Sequence, residues 1–505
     1  MIAPGSRTGS RHIAAVLIIL AGYAALAFHT LGGPVLWNDE AFSYFIANGG
    51  AREALLRIAA DTQPPFYYLV LSQWLSLGHG PAAIRSLSAA AGVVAVLFVY
   101  LSARPLLGRN GALLAMLLFG IAPDSLLWAQ KARPYGLQTM LVAIALWGFI
   151  HILLDSQSRE RPIGSGLVAA LRGDMQSSLR CDLAWLAYAV GGGLAMLAQH
   201  PAGFFVFGCN VVMALVMLRD RGGSRLLFMN WVVAQLLLVA IWATWLLEFI
   251  DQVRDHLTPD AIRSKHAIFL VPNVWPPFIE FFGVAHLWRL QPAPVLFYGA
   301  ALAFGLVAAI RQRSSVLWIY LLVASPVVLC ILAFYLVHPV FGYVIFVLHW
   351  LMVPYAILVA HGITAIRPRP VAWAVVLVLV VLNSRGLFNY YDETSVRLDL
   401  IASLIADDAK PDDAMVFGPQ HAARVGLAYY YPYQSAATPA GLHGTVLSPR
   451  LIETREDAAP YRRIWVVVPT GSAPMIGFDV LADFGRLAVD RTFGTLIVRR
   501  YDRVD

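Results

Sequence analysis

The chain is dominated by apolar runs of about 17 to 24 residues, the length that an α-helix needs to cross the hydrocarbon core of a bilayer. Of its 505 residues, 59% are hydrophobic and only 13% are charged, whereas a soluble domain carries about a quarter charged residues. The runs predict a polytopic α-helical membrane protein with about eleven transmembrane helices, at approximately 13–32, 83–104, 111–129, 135–154, 182–199, 201–218, 226–248, 294–310, 316–337, 342–364 and 370–388.

The basic residues between these runs indicate the orientation of the chain, because Lys and Arg prefer the cytoplasmic loops of membrane proteins. With a cytoplasmic N-terminus, every short basic connection falls on the inner side. These connections are Arg104 with Arg109, segments 155–181 and 219–225, Arg311 with Arg313, and Arg367 with Arg369. The first run is therefore interpreted as an uncleaved helix. The net charge of +7 is interpreted as a determinant of topology and not of nucleic-acid binding.

The run at 64–77, PPFYYLVLSQWLSL, departs from the pattern. It is short for a membrane span and rich in Tyr and Trp, which favour the membrane interface. Counting it as a pass would place the basic loops outside. It is therefore predicted to be an interfacial or re-entrant helix on the outer face.

Four segments are predicted to lie outside the membrane: 33–82, 122–135, 251–292 and the tail after about residue 389. The tail alternates acidic helical stretches, such as RLDLIASLIADDAKPDD, with β-rich runs, such as RIWVVVP and GTLIVRRY. Such alternation is typical of a small α/β domain. The prediction is a transmembrane catalytic domain at 1–388 and a small soluble periplasmic α/β domain at 389–505.

An acidic pair, Asp39 and Glu40, follows the first predicted helix in the outer segment 33–82. Two carboxylates close to a low-dielectric surface are costly to hold there. One interpretation is a general base with a neighbour that positions it or tunes its pKa. The other is a helix N-terminus, where an acidic residue ahead of AFSYFIANGG caps the helix. The dipeptide alone leaves both interpretations open.

A cationic pair, Lys131 and Arg133, lies in the second outer segment and is followed by Pro134 and Tyr135. Basic residues are least expected on the outer side, so this pair is well placed to bind an anionic group such as a lipid phosphate. Contact with lipid headgroups, or snorkelling at a helix end, is the alternative. Asp124, in APDS, is interpreted as part of an ordinary turn.

The histidines predicted on the outer face show no metal-ligand spacing, and neither do the three cysteines. Among these histidines His200, in LAQHPAGFF at a helix junction, is the one expected to face a cavity. The sequence contains no Walker or dinucleotide-binding glycine pattern. No cofactor follows from the sequence, and dependence on a divalent cation stays open.

Three motifs in a fixed order resemble bacterial glycosyltransferase family 39. They are LWNDEAFSYFIANGG, then DTQPPFYYLVLSQWLSLGHGPAAIRSLSAAAGVVAVLFVYLSARPLLGRN, then PDSLLWAQKARPYGLQTMLVAIAL. This family, of the GT-C class, includes relatives of the protein O-mannosyltransferases and the lipid A aminoarabinose transferase. The similarity is densest over about 30–150 and continues weakly to KPDDAMVF at the start of the tail.

The resemblance implies a multipass fold with an outer active site that transfers a sugar from a polyprenyl-phosphate donor to an acceptor hydroxyl, with inversion. It implies that Asp39 is the catalytic base and that Glu40 matches the adjacent acid. The further residues predicted to bind substrate are Lys131, Arg133, Tyr135, Gln63, Tyr67 and His200. The implied partners are the lipid-linked donor, a lipid, glycan or protein acceptor, and membrane lipids, without nucleic acid.

The chain departs from the family at three positions. Lys131 stands where many relatives have Glu, and Gln63 precedes two prolines where relatives often have His. Gly342 stands where relatives tend to have an arginine. If that arginine contacts the lipid phosphate, another cation must replace it, and Arg289 and Lys265 are the candidates.

Two alternatives to the transferase follow from the same sequence. A flippase or transporter of lipid-linked sugar would place functional charges at mid-membrane depth, whereas the charges of this chain fall almost entirely in loops. A degenerate family member that only binds is the other alternative. The predicted location is the bacterial cytoplasmic membrane, with a cytoplasmic N-terminus and a periplasmic C-terminal domain.

Overall fold

The computed structural model describes residues 4–33, 35–155, 162–164, 178–219, 225–256, 292–336, 348–392, 397–410, 413–417, 424–430, 455–469, 481, 483–494 and 496–504. The fold is largely helical and forms two compact units. The first unit consists of Met1–His29, Ile58–Tyr67 and Arg85–Asp392. The second consists of Thr30–Arg57, Tyr68–Ile84 and Glu393–Asp505.

In chain order the helices are α1 (Pro4–Phe28), α2 (Asn38–Ala47), α3 (Ala51–Ala59), α4 (Phe66–Trp74), α5 (Pro81–Gly120), α6 (Pro123–Ala129), α7 (Pro134–Leu154), α8 (Ser178–Ala198), α9 (Gly203–Arg219), α10 (Arg225–Trp242), α11 (Leu246–His256), α12 (Pro292–Gln312), α13 (Leu317–Leu336), α14 (Met352–Ala365), α15 (Arg369–Asp392), α16 (Leu398–Asp408), α17 (Arg424–Tyr430) and α18 (Arg455–Ala458). The strands are β1 (Ala414–Phe417), β2 (Arg463–Pro469), β3 (Gly485–Phe493) and β4 (Leu496–Arg503).

Within the described residues, eight helical stretches are long and apolar enough to cross a membrane. Two shorter apolar helices, Leu296–Gln312 and His349–Ala365, fall below that length. The prediction of a polytopic α-helical membrane protein is confirmed. The predicted count of eleven spans is not confirmed.

The predicted spans at 83–104 and 111–129 differ from the observed helices. Both fall on α5, which is 40 residues long, and residues 123–129 form the separate helix α6. Gly108 interrupts α5 with a φ of 70° and a ψ of −174°, a conformation that glycine adopts without a steric penalty. Pro105, which lies inside α5, cannot donate a helical hydrogen bond. The two predicted spans therefore meet at this interruption, and the second helical stretch ends earlier than predicted, at Gly120.

Small residues allow close helix packing in the first unit. A Cβ added to Gly148 of α7 would overlap the carbonyl oxygen of Ala184 in α8. A Cβ on Gly362 of α14 would likewise overlap the carbonyl oxygen of Ala301 in α12. Glycine is required at such contacts because membrane helices associate through close backbone packing and not through the exclusion of water.

The predicted interfacial segment 64–77 contains a short helix. Helix α4 has nine residues, and a turn of 3-10 helix follows at Leu75–Leu77. At 1.5 Å per residue, α4 is about 14 Å long, roughly half of the hydrocarbon thickness. The segment therefore does not form a helix of spanning length. Its position at the interface stays a prediction.

The second unit contains a four-stranded sheet in the order β1-β2-β4-β3. Strand β1 pairs with β2 in parallel, and β4 pairs with β2 and β3 in antiparallel fashion. Successive side chains of a strand point to opposite faces of its sheet. Both faces of strand β2, RIWVVVP, are buried. Trp465 and Val467 enter one core, and Ile464 and Val466 enter the other. The predicted small C-terminal α/β fold is confirmed, whereas its boundary at residue 389 stays a prediction.

Candidate active site

The acidic pair lies on the first turn of α2, in the second unit. The carboxylate of Glu40 is completely buried and accepts a hydrogen bond from the backbone N–H of Trp37 at 3.1 Å. This bond satisfies an amide that the helix itself leaves unpaired at its N-terminus. Glu40 therefore has the capping role that the sequence left open for this pair.

Asp39 differs from its neighbour because its side chain is partly exposed. Its backbone carbonyl accepts a hydrogen bond from the Ser43 hydroxyl at 3.0 Å, one helical turn further on. A carboxylate on a fixed helical turn and in contact with solvent can accept a proton from a substrate hydroxyl. Of the two acids, Asp39 has the exposure that this chemistry requires.

The cationic segment lies in the first unit, between α6 and α7. Gln130 is buried at its start and donates hydrogen bonds from Nε2 to the carbonyl oxygens of Leu26 and His29, both at 2.8 Å. The same nitrogen lies 3.2 Å from the hydroxyl of Tyr391. Gln130 thus ties the segment to the end of α1 and to α15.

Arg133 and Tyr135 are held next to each other where α7 begins. Arg133 is extended, with a φ of −136° and a ψ of 157°, and Pro134 follows as the first helical residue. The guanidinium carbon of Arg133 lies 5.9 Å from the ring centre of Tyr135, which is a cation–π distance. The backbone N–H of Arg133 donates to the carbonyl of Lys131 at 2.8 Å. Lys131 and Arg133 therefore lie in one tight turn, and Tyr135 follows it in the first turn of α7.

A cleft beside this turn contains two residues that were not among the predicted site residues, Asp124 and His349. Oδ2 of Asp124 lies 3.3 Å from Nδ1 of His349, and Oδ1 accepts a hydrogen bond from Trp128 Nε1 at 3.1 Å. The ring of His349 lies 4.4 Å from that of Trp128 and 4.9 Å from that of Tyr135. The carboxylate orients the imidazole, and the two aromatic rings pack against it.

The cleft is narrow and is lined by residues of five helices and of the turn before α14. Its lining combines polar and apolar groups: Tyr23, Gly92, Ala95, Phe119, Asp124, Ser125, Trp128, Ala129, Gly136, Thr139, His349 and Met352. A carboxylate, an imidazole and hydroxyl groups therefore lie beside aromatic rings in this cleft.

Sequence reasoning missed Asp124 because Pro-Asp-Ser also begins an ordinary turn. In the structure this turn is the N-terminus of α6. The available signal was the spacing of Asp124 and Trp128, since residues four apart meet on one helical face. His349 carried no comparable signal because it lies 225 positions from its partner Asp124.

Gln63, Tyr67 and His200 also lie in the first unit. Tyr67 is completely buried. Within the described part of the chain, Oε1 of Gln63 and both ring nitrogens of His200 are buried without a hydrogen-bond partner. Buried polar atoms are normally paired, so these atoms are available to a polar ligand. Their assembly with the turn at 131–135 stays a prediction.

The remaining site predictions are not tested by the geometry. Asp39 and Glu40 belong to the second unit and the other predicted residues to the first, so their assembly into one site stays a prediction. Gly342 and the proposed substitutes Arg289 and Lys265 lie outside the described residues. Over the described ranges, no three His, Cys, Asp or Glu residues are grouped in a way that would hold a metal ion.

Known proteins are similar to this chain in two respects, in the sequence of one segment and in the fold of the whole chain. Residues 62–174 match the family of dolichyl-phosphate-mannose-protein mannosyltransferases. No curated protein matches the chain in sequence.

The whole chain is similar in fold to several solved membrane proteins. With apo ArnT from Cupriavidus metallidurans it shares 16% identity and a TM-score of 0.61, over 98% of each chain. With ArnT bound to undecaprenyl phosphate it shares 15% identity and a TM-score of 0.59, over 96% of this chain and 97% of that one. With Archaeoglobus fulgidus AglB, in complex with an inhibitory peptide and a dolichol-phosphate, it shares 12% identity and a TM-score of 0.53, over 92% and 70%. The predicted resemblance is thus confirmed, and the chain has the fold of the GT-C class of membrane glycosyltransferases.

Proposed function

We propose that this protein is an inverting glycosyltransferase that moves a sugar from a polyprenyl phosphate to an acceptor hydroxyl at the outer face of the bacterial cytoplasmic membrane. The observation that carries the proposal is the fold match over almost the whole chain to ArnT, which has been solved with undecaprenyl phosphate. The match of residues 62–174 to a family of lipid-phosphate-sugar transferases supports the same donor chemistry.

In the proposed reaction Asp39 is the general base. The acceptor hydroxyl oxygen attacks the anomeric carbon, and the Asp39 carboxylate takes the hydroxyl proton as the new carbon–oxygen bond forms. The bond between the anomeric carbon and the phosphate oxygen breaks, and its electron pair leaves with the polyprenyl phosphate. Attack from the face opposite the leaving group inverts the anomeric configuration. Asp39 then releases this proton to water.

Lys131 and Arg133 have the charge that the leaving group requires. The polyprenyl phosphate gains negative charge as the bond breaks, and cations placed near its oxygens stabilise this charge in the transition state. The guanidinium of Arg133 can bind two phosphate oxygens at once. The guanidinium of Arg133 lies over the ring of Tyr135, and this contact limits the orientations that the guanidinium has to lose on binding.

The orientation of the chain in the membrane is part of the proposal. With a cytoplasmic N-terminus, the basic connections lie inside, and the outer segments 33–82 and 122–135 share the side of the C-terminal domain. The acceptor class is a lipid, glycan or protein with a free hydroxyl.

The test is a reconstitution in proteoliposomes. Undecaprenyl-phosphate-linked sugars are supplied as donor, and membranes of cells that lack the protein supply the acceptor. Mass spectrometry then follows the release of undecaprenyl phosphate and the gain of a sugar mass on the acceptor. We expect both to require the protein and the acceptor membranes. Movement of the donor across the bilayer without sugar transfer would instead establish a flippase.

A further inference from the structure

The chain that leads into α2 is packed into the C-terminal domain. Val35, only 8% exposed, belongs to the same hydrophobic core as Ile401 of α16, Trp465 of β2 and Val498 of β4. All of these residues lie in the second unit. The segment before the acidic pair is therefore fixed by residues that come more than 350 positions later in the sequence.

Two hydrogen bonds fix the backbone next to the acidic pair. The N–H of Leu36 donates to the hydroxyl of Tyr430 in α17 at 2.7 Å. The N–H of Gly426 in α17 donates to the side-chain oxygen of Asn38 at 3.2 Å. Leu36 is completely buried, so its amide would lose its pairing if the Tyr430 hydroxyl were removed.

Aromatic contacts extend this interface along α2. The ring of Tyr429 meets that of Tyr44 edge-on, with 5.1 Å between the ring centres. The Tyr429 hydroxyl donates to the carbonyl of His79 at 2.7 Å, and the His79 ring also contacts Tyr44. Helix α17 therefore contacts α2 on both sides of Asp39 in the sequence, at Asn38 and at Tyr44.

The approach between these two helices is close. A Cβ added to Gly426 would lie 3.5 Å from the Cα of Asn38 and 2.5 Å from a terminal methyl carbon of Leu398. The backbone of α17 thus lies directly against the first turn of α2. A displacement of α17 would therefore disturb its contacts with the turn that carries Asp39.

We infer that α17 of the C-terminal domain positions Asp39 for catalysis, with Tyr430 as the main positioning residue. This inference rests on the proposed role of Asp39 as the base. Asn38 is bound by Gly426 on one side of Asp39, and Glu40 is bound to Trp37 on the other. A general base must be held within hydrogen-bond reach of the acceptor proton, and a displacement of about 1 Å costs up to about 100-fold in rate.

The test compares two tyrosine substitutions in the full-length reconstituted protein. Tyr430→Phe removes only the hydroxyl that accepts the Leu36 hydrogen bond. Tyr501→Phe is the matched control, because Tyr501 is buried in the core on the opposite face of the same sheet. For Tyr430→Phe we expect kcat to fall about tenfold with an unchanged KM for the lipid-linked donor. For Tyr501→Phe we expect kcat to be unchanged.

Hydrogen exchange supplies a readout that is independent of activity. In Tyr430→Phe the amides of residues 36–44 should exchange faster, while those of β2 and β4 keep their protection. Preserved protection in the strands shows that the domain is folded.

The outcomes separate the two proposals. An active wild type in which Tyr430→Phe changes neither kcat nor exchange at 36–44 would overturn the positioning role and leave the function intact. An equal loss of kcat in both variants would also overturn it, since the effect would then be general. A wild type without transfer activity would overturn the function, while faster exchange at 36–44 would still show that α17 holds α2.

Discussion

The acidic turn on α2 and the cationic turn between α6 and α7 are held in different ways. The acidic turn is held by the second unit, through the Tyr430 and Gly426 hydrogen bonds and the packing of Val35. The cationic turn is held by membrane helices, through buried Gln130 and the ring of Tyr135. The residue proposed to accept the proton therefore depends on the C-terminal residues of the second unit, whereas the residues proposed to bind the phosphate depend on the helices of the first unit.

The largest expected effect concerns the acidic turn. Asp39→Asn keeps the size and the backbone of the residue but cannot accept the acceptor proton. We expect kcat to fall by about 100-fold to 10,000-fold, the range that general base catalysis contributes. Donor binding, measured by retention of labelled undecaprenyl phosphate, should be unchanged. Glu40→Gln is the matched control, and it should act mainly on stability because Glu40 caps the helix. If Glu40→Gln lost more kcat than Asp39→Asn, Glu40 would be the base and Asp39 the supporting residue.

Substitutions in the cationic turn are expected to lower kcat/KM for the lipid-linked donor. Replacing Lys131 and Arg133 together by Met removes both charges and retains the apolar stems. Loss of even one charge-assisted hydrogen bond to the phosphate, about 1.5–3 kcal/mol, should lower kcat/KM for the donor by at least about tenfold. Titration with undecaprenyl phosphate alone measures the binding part. Unchanged donor binding in the double variant would remove this turn from the phosphate site.

A smaller effect is expected in the cleft next to the cationic turn. Asp124→Asn weakens the contacts to His349 and Trp128, both of which are made by partly buried groups. We expect a loss of about 1–2 kcal/mol in stability, read from thermal unfolding in detergent. Asp251→Asn is the control, because Asp251 and Arg254 form an exposed pair at 3.6 Å. Exposed ion pairs contribute little to stability. Equal shifts of the unfolding temperature in both variants would therefore show that the cleft contacts stabilise the protein no more than an exposed pair does.

The smallest effect concerns the start of α16 in the C-terminal domain. Arg397 donates two hydrogen bonds to Asp399, at 2.9 and 2.7 Å, and these bonds hold the pKa of Asp399 below its usual value. The pair therefore stabilises the domain above the unfolded-state pKa of Asp399, and this contribution is lost as the pH falls through the folded-state pKa. Asp399→Asn should reduce the acid sensitivity of unfolding slightly, measured by circular dichroism between pH 7 and pH 3. An increased acid sensitivity would contradict this sign.

Local patterns predicted most of the fold. The predicted β-rich run RIWVVVP has the same bounds as β2, and the acidic stretch 397–413, predicted to be helical, contains α16. These elements follow from the spacing of apolar residues over a few positions. The interruption at Gly108 lies in the connection predicted between the spans 83–104 and 111–129, whereas the separation of α6 from α5 was not predicted.

Contacts between distant residues could not be predicted. Leu36 and Tyr430 are 394 positions apart, and Asp124 and His349 are 225 positions apart. No local pattern encodes such a pairing, since each residue is ordinary in its own segment. The acidic pair was recognisable from its sequence, but its division into a buried cap and an exposed acid depends on how α2 begins in three dimensions.

The most direct test of the proposed function is mass spectrometry of envelope glycolipids and glycans from three matched cell populations. One produces the wild-type protein, one produces Asp39→Asn at the same level, and one lacks the protein. A sugar-bearing species found only with the wild-type protein is the expected result. The same species at equal abundance in cells with Asp39→Asn, or in cells without the protein, would contradict the proposal that this chain transfers sugar with Asp39 as its base.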